Sequence, residues 1–122
     1  MKKSVIYLAA IIAIALVFNS CTKEEDFDQA LLTGTWKLVG GTEMYKYNSG
    51  GTGVFWDPSQ DVTELEGKHF NWTLVKSDLT HIFISESGSL EVPKSYTVTE
   101  LTATSLKYKD DLGGTTYSFA KQ

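Results

Sequence analysis

Gly34-Thr35-Trp36-Lys37-Leu38-Val39 alternates apolar with polar residues behind a glycine, and Gly40-Gly41 follows at once. A period of two marks a strand with one buried face. Two successive glycines accept the positive φ of a tight hairpin turn. Residues 42–47 then alternate again, so a two-residue turn sets Trp36 opposite Tyr45. The chain beyond repeats this unit, which makes the first hairpin decisive for the fold class.

Val54 and Trp56 share one phase, and a turn over residues 48–53 places them opposite Tyr47 and Tyr45. Phe70, Trp72 and Leu74 alternate, as do Ile82 and Ile84. A three-residue turn around Ser77-Asp78 sets Trp72 against Ile82 and Phe70 against Ile84, and turns His69 and His81 outward. Across Leu101-Thr102-Ala103, Val98 faces Leu106 and Tyr96 faces Tyr108. A turn over residues 111–114 sets Tyr108 against Tyr117 and Leu106 against Phe119. Strands are thus predicted at 35–39, 42–48, 53–57, 68–76, 79–85, 94–100, 104–110 and 114–120. The residues before them, 28–32, fit one helical turn capped by Asp26 or Asp28, with Leu31 and Leu32 plugging one end of the domain. Eight strands with short connections and no long helix predict an all-β fold: an antiparallel up-and-down meander closed into a small barrel, which removes the sheet edges.

The N-terminal part reads differently. Met1-Lys2-Lys3 is basic, and residues 5–18 form an apolar run of 14, short of the roughly 20 that span a bilayer. Phe18-Asn19-Ser20-Cys21 follows and resembles the lipobox of bacterial lipoproteins, with Phe18 and Asn19 in place of more usual residues. The resemblance implies a signal peptide over 1–20 and acylation of Cys21. Two or three acyl chains, at about 0.8 kcal/mol per buried CH₂, hold a protein stably on a membrane. Residues 21–30 then hold the lipidated cysteine and an acidic tether, similar to acidic export signals of surface lipoproteins, and residues 31–122 hold the barrel. The expected location is the cell envelope, on the periplasmic or cell-surface face of the outer membrane.

Loss of Lys2 and Lys3 leaves nine lysines against fifteen acids, a net charge of −6. That balance argues against nucleic acid as a partner and against electrostatic adhesion to anionic lipid. The chain has no arginine, so no bidentate guanidinium fork is on offer for a carboxylate or phosphate. Its single cysteine excludes an internal disulfide. Residues 57–68 carry Asp57, Asp61, Glu64 and Glu66 at spacings that match no calcium loop. Gly50-Gly51-Thr52-Gly53 lacks the lysine and helix of a phosphate loop. No catalytic constellation, metal site or cofactor is expected.

Gly34-Thr35-Trp36, at the head of an eight-strand meander, resembles the Gly-X-Trp motif of lipocalins. The closing segments Tyr96-Thr97-Val98 and Tyr117-Ser118-Phe119 are similar to the small lipocalin-like domains of Gram-negative lipoproteins. The resemblance covers roughly residues 31–121. It implies that Gly34 and Trp36 are structural, with Trp36 closing the barrel floor. On the last strand, over that tryptophan, the chain departs from the family. Lipocalins carry an arginine there; Lys121 is the nearest cation here.

The predicted registers send Tyr45, Tyr47, Trp56, Phe70, Trp72, Ile82, Ile84, Tyr96, Tyr108 and Tyr117 inward as candidate lining residues, with Leu38, Val54, Leu74, Val98, Leu106 and Phe119. Hydroxyls in an apolar interior suit an amphipathic small molecule. They equally suit a filled barrel, because eight strands sit near the size at which side chains fill the interior or leave room for one ligand. The expected function is therefore a lipid-anchored module that binds a small hydrophobic or amphipathic molecule. The alternative is a solid barrel that docks a protein or glycan through its loops at 57–68 and 86–93.

Overall fold

The structure, a computed structural model, describes residues 25–122; the expected signal peptide, Cys21 and the start of the expected tether lie outside them. Strand β1 (Gly34–Leu38) pairs with β2 (Met44–Asn48) on one side and with β8 (Thr116–Lys121) on the other. Between them run β3 (Thr52–Trp56), β4 (Lys68–Val75), β5 (Asp78–Phe83), β6 (Lys94–Leu101) and β7 (Ser105–Asp110). Each strand is antiparallel to its neighbours in chain order, and the eight close into a barrel. The meander expected from the sequence is the observed fold. Among the described residues every strand belongs to this one closed barrel around one core, the make-up of a self-contained folding unit.

Where turn chemistry is unambiguous the predicted registers stand. Trp36 faces Tyr45 across Gly40-Gly41, and Tyr108 and Leu106 face Tyr117 and Phe119. Three other registers differ. The β2–β3 turn is Ser49-Gly50-Gly51, so Tyr47 faces Gly53 and Tyr45 faces Phe55. Val54 and Trp56 are outside the barrel. Val54 is nevertheless buried, because the connection after β3 folds back over it: a Cβ on Gly67 would stand 2.6 Å from Val54 Cγ2. Gly53 takes the inward place because Phe70 needs the space; a Cβ there would lie 2.4 Å from Phe70 Cζ and 2.6 Å from the Lys46 carbonyl oxygen.

The β4–β5 turn has two residues, Lys76 and Ser77, not three. Lys76 takes φ 56°, and the Ser77 carbonyl accepts from Val98 N at 2.8 Å. Trp72 therefore faces His81 and Phe70 faces Phe83. Leu79, His81 and Phe83 point inward, while Ile82 and Ile84 point outward. His81, expected outside, is 1% exposed; His69 is exposed as expected. Finally, an irregularity between Val98 and Glu100 shifts β6 against β7. Val98 meets Tyr108, and Leu101, expected in the turn, ends the strand buried opposite Leu106; Val98, Leu106 and Tyr108 stay buried as expected.

The two ends of the barrel differ. Helix α1 (Gln29–Leu32), capped by the Asp28 side chain on Ala30 N, lies under one end and buries Leu32 completely, while Leu31 stays partly exposed. Phe27 N donates to the Lys76 carbonyl, Gln29 Nε2 donates to the Leu74 carbonyl at 2.7 Å, and Gln122 N donates to the Thr35 carbonyl. Both ends of the described chain thus sit at this floor. The other end opens between four connections: 39–43, 57–67, 84–93 and 111–115. The second of these carries two 3-10 turns, Pro58–Gln60 and Glu64–Glu66, the latter tied to β2 by a 3.0 Å ion pair from Lys46 to Glu64. The third is irregular apart from one bridge, Ile84 to Leu90.

Candidate functional site

Trp36 fills the floor. It is fully buried and donates from Nε1 to the Leu32 carbonyl at 2.8 Å. Lys121 Nζ stands 4.6 Å from the centre of its ring and donates to the Thr33 carbonyl. Gly34 makes this crossing possible: a Cβ there would meet Lys121 Cε at 2.6 Å. Gly34 also has φ +123°, which side-chain-bearing residues rarely adopt. The glycine and the tryptophan of the motif, two residues apart, are therefore joined physically through one lysine of the last strand.

Above Trp36 the lower half of the barrel is solid. Tyr47, Phe70, Trp72, Leu74, Leu79 and Leu106 are each at most 6% exposed. Three of the expected lining residues, Tyr47, Phe70 and Trp72, therefore belong to the filled core. Trp72 Nε1 donates to the Thr52 carbonyl at 2.8 Å, which closes its polar end.

His81 caps this core. Its Nε2 and the Tyr47 hydroxyl share a 2.8 Å hydrogen bond, and its Nδ1 has no partner among the described residues. Its ring lies among Phe70 at 4.9 Å, Tyr96 at 5.0 Å and Tyr45 at 5.8 Å. Burial, with a smaller push from Lys94, lowers the imidazole pKa to about 3, so the ring is neutral at neutral pH. Burial likewise raises the Tyr45 phenol and drives those of Tyr47 and Tyr108 well above the ordinary range.

The upper half is open. A cavity of about 280 Å³ is walled by Leu38, Tyr45, Phe55, Tyr96, Tyr117 and Phe119, with Tyr108 at its side and Glu43 and Lys94 at its rim. A neighbouring hollow of about 240 Å³ shares Tyr45, Phe55, Lys94 and Tyr96, and adds Lys68 and Phe83. The aromatic walls brace one another, with ring centres 4.8 Å apart for Tyr45–Phe55, 4.6 Å for Tyr96–Tyr108 and 5.0 Å for Tyr108–Phe119. Of the expected lining residues, Tyr45, Tyr96, Tyr108 and Tyr117 meet here. Trp56, Ile82 and Ile84 do not. Phe55 and Phe83 lie on β3 and β5, which carry apolar residues in both phases, so phase alone does not choose between them; Lys68 and Lys94 open β4 and β6 in the inward phase, but a lysine at a strand end reads as a solvated residue.

A wider groove of about 570 Å³ lies outside the barrel between the second and third open-end connections, with Glu66, His69, Ile84 and Glu91 on its walls. Among the described residues no group of three or more histidine, cysteine or acidic side chains is placed to hold a metal ion. Comparison with protein-family models, with curated proteins and with solved structures gives no match. The chemistry of the site therefore rests on its own side chains. They offer aromatic faces, hydroxyls and two lysines around an open cavity.

Proposed function

We propose that this chain is a lipid-anchored cell-envelope lipoprotein whose lipocalin-like barrel binds a small hydrophobic or amphipathic molecule in its mouth. The cavity between Tyr45, Phe55, Tyr96 and Tyr117 carries the reading: concave, largely aromatic, and edged by a few polar groups, as small-molecule sites are. The lipocalin likeness draws support from Lys121, which lies over Trp36 where that family has an arginine. The leader and Cys21 support the anchor.

The pocket is tested with N-phenyl-1-naphthylamine, an uncharged dye that fluoresces in apolar sites, added to residues 22–122. Leu38→Trp enlarges a wall side chain and should weaken dye binding at least tenfold. Leu65→Trp, at a position 94% exposed on the second connection, should leave it unchanged. Equal responses of the two variants would place the dye elsewhere. For the anchor, the full chain expressed in a Gram-negative host should incorporate labelled palmitate and sediment with membranes, while Cys21→Ser should do neither. A wild-type chain that takes up no label would remove the anchor from the reading.

One observation favours a second reading. Every connection at the open end exposes an aliphatic side chain: Val39, Leu65, Leu90, Val92 and Leu112 are 63–100% exposed. Such residues around a mouth suit docking of a protein partner.

A further inference from the structure

We propose that the mouth selects a small aromatic acid, with its rings between Tyr45, Phe55 and Tyr96 and its anionic group on Lys94. The inference rests on the pocket reading and adds the ligand class.

Lys94 opens β6, in phase with Tyr96 and Val98 and directly opposite His81, so it points to the interior side of the rim. Its Nζ stands 5.5 Å from the centre of the Phe83 ring. Among the described residues it has no carboxylate within ion-pair distance. Lys68, which stands 5.2 Å from the same ring centre, is already held by both carboxylate oxygens of Glu91 at 2.9 Å. Lys94 is thus the rim cation left for a ligand, and it borders both parts of the cavity. Glu43 lies on the first connection, next to β2. In a closed ring of eight strands β2 and β6 are four apart, on opposite walls. The two charges on the cavity wall itself thus stand on opposite sides, which draws an anionic group toward Lys94; Asp110, opposite Tyr96 on β7, adds a carboxylate on that side outside the cavity wall.

The shape sets the rest of the ligand. The cavity ends on Tyr108, and below it the core is closed by Tyr47, Phe70, Trp72 and the buried His81. A long acyl chain finds no channel to the floor, whereas a short, flat molecule meets aromatic faces on several sides. The protein's net negative charge gives an anion no general attraction, so a charge-specific response must come from a local cation.

The test compares two dyes with the same ring system. 8-Anilino-1-naphthalenesulfonate carries an anion; N-phenyl-1-naphthylamine does not. Both are titrated into residues 22–122 and into Lys94→Met, Lys94→Arg and Lys109→Met, the last an exposed lysine outside the mouth. The dissociation constant of the sulfonate should rise about tenfold in Lys94→Met, stay within about twofold of wild type in Lys94→Arg, and be unchanged in Lys109→Met, in line with one charge-assisted contact. The uncharged dye should bind all four proteins alike, which also reports that they are folded. Equal effects of Lys94→Met on both dyes, or equal effects of Lys94→Met and Lys109→Met on the sulfonate, overturn the anion subsite and leave the pocket standing. Binding of neither dye to wild type overturns both.

Discussion

Replacing Trp36 by alanine should cost about 3–5 kcal/mol, the range for deleting a large aromatic side chain from a core. Small domains have only about 5–15 kcal/mol in all, so much of the stability goes with it. The position is fully buried and cannot relax into solvent. The ring's loss also leaves the Leu32 carbonyl without its donor and Lys121 without the surface it lies on. Trp36→Phe separates these contributions. It keeps a ring under Lys121 and should cost about 1–2 kcal/mol, as expected for one buried hydrogen bond and some lost packing. Urea unfolding of residues 22–122, followed by circular dichroism, measures both. A loss under 1 kcal/mol for Trp36→Ala would mean that the floor is closed by something other than this tryptophan.

Acid should destabilise the barrel through His81, beginning well above the range in which carboxylates titrate. The unfolded chain binds a proton at this imidazole near pH 6.5, whereas the folded barrel resists it down to about 3. Between those values the unfolded state carries one more proton than the native state. Stability is therefore fully present above pH 6.5 and falls as pH drops, by about 1.4 kcal/mol per unit. Over the whole window the loss is on the order of 4–5 kcal/mol. The cause is visible around the ring: Nδ1 has no acceptor for a second proton, Tyr47 occupies Nε2, aromatic rings surround the rest, and the cation of Lys94 opposes a second positive charge. Denaturation curves at pH 7, 6, 5 and 4 for wild type and His81→Leu isolate the effect. The variant leaves the Tyr47 hydroxyl without its imidazole partner, a constant offset, but should lose the slope between pH 7 and 5. Parallel curves for the two proteins would show that His81 is protonated readily in the folded state.

The physics of alternation explains which parts of this molecule its sequence reveals. In β1, β2, β7 and β8 one phase is apolar and the other polar, and the glycines at 40–41 and the short turn after Asp110 set the register. Eight strands, the closure and the plug at Leu32 follow from those features. In β3 and β5 both phases are apolar: Gly53 and Phe55 against Val54 and Trp56, and Leu79, His81 and Phe83 against Ile82 and Ile84. There the choice falls to distant contacts that no local pattern contains. Phe70 demands a glycine at 53, and the folded-back connection at Gly67 shelters Val54 outside the barrel. His81 was misplaced for the same reason, since a histidine among aliphatics counts as polar until a tyrosine hydroxyl is found for it. The site suffered accordingly. Its tyrosines are legible from strands with a clear phase, whereas Phe55 and Phe83 lie on the two strands whose phase is ambiguous, and Lys94 shares the clear phase of Tyr96 but carries no apolar signal.

Both ends of the described chain leave from the side of the barrel opposite the cavity, Phe27 against the β4–β5 turn and Gln122 against β1. Attachment at either end, to an acyl anchor, a fused domain or a sensor surface, therefore presents the opening outward with its approach unobstructed. The opening of a barrel held in this way lies on the far side from its support.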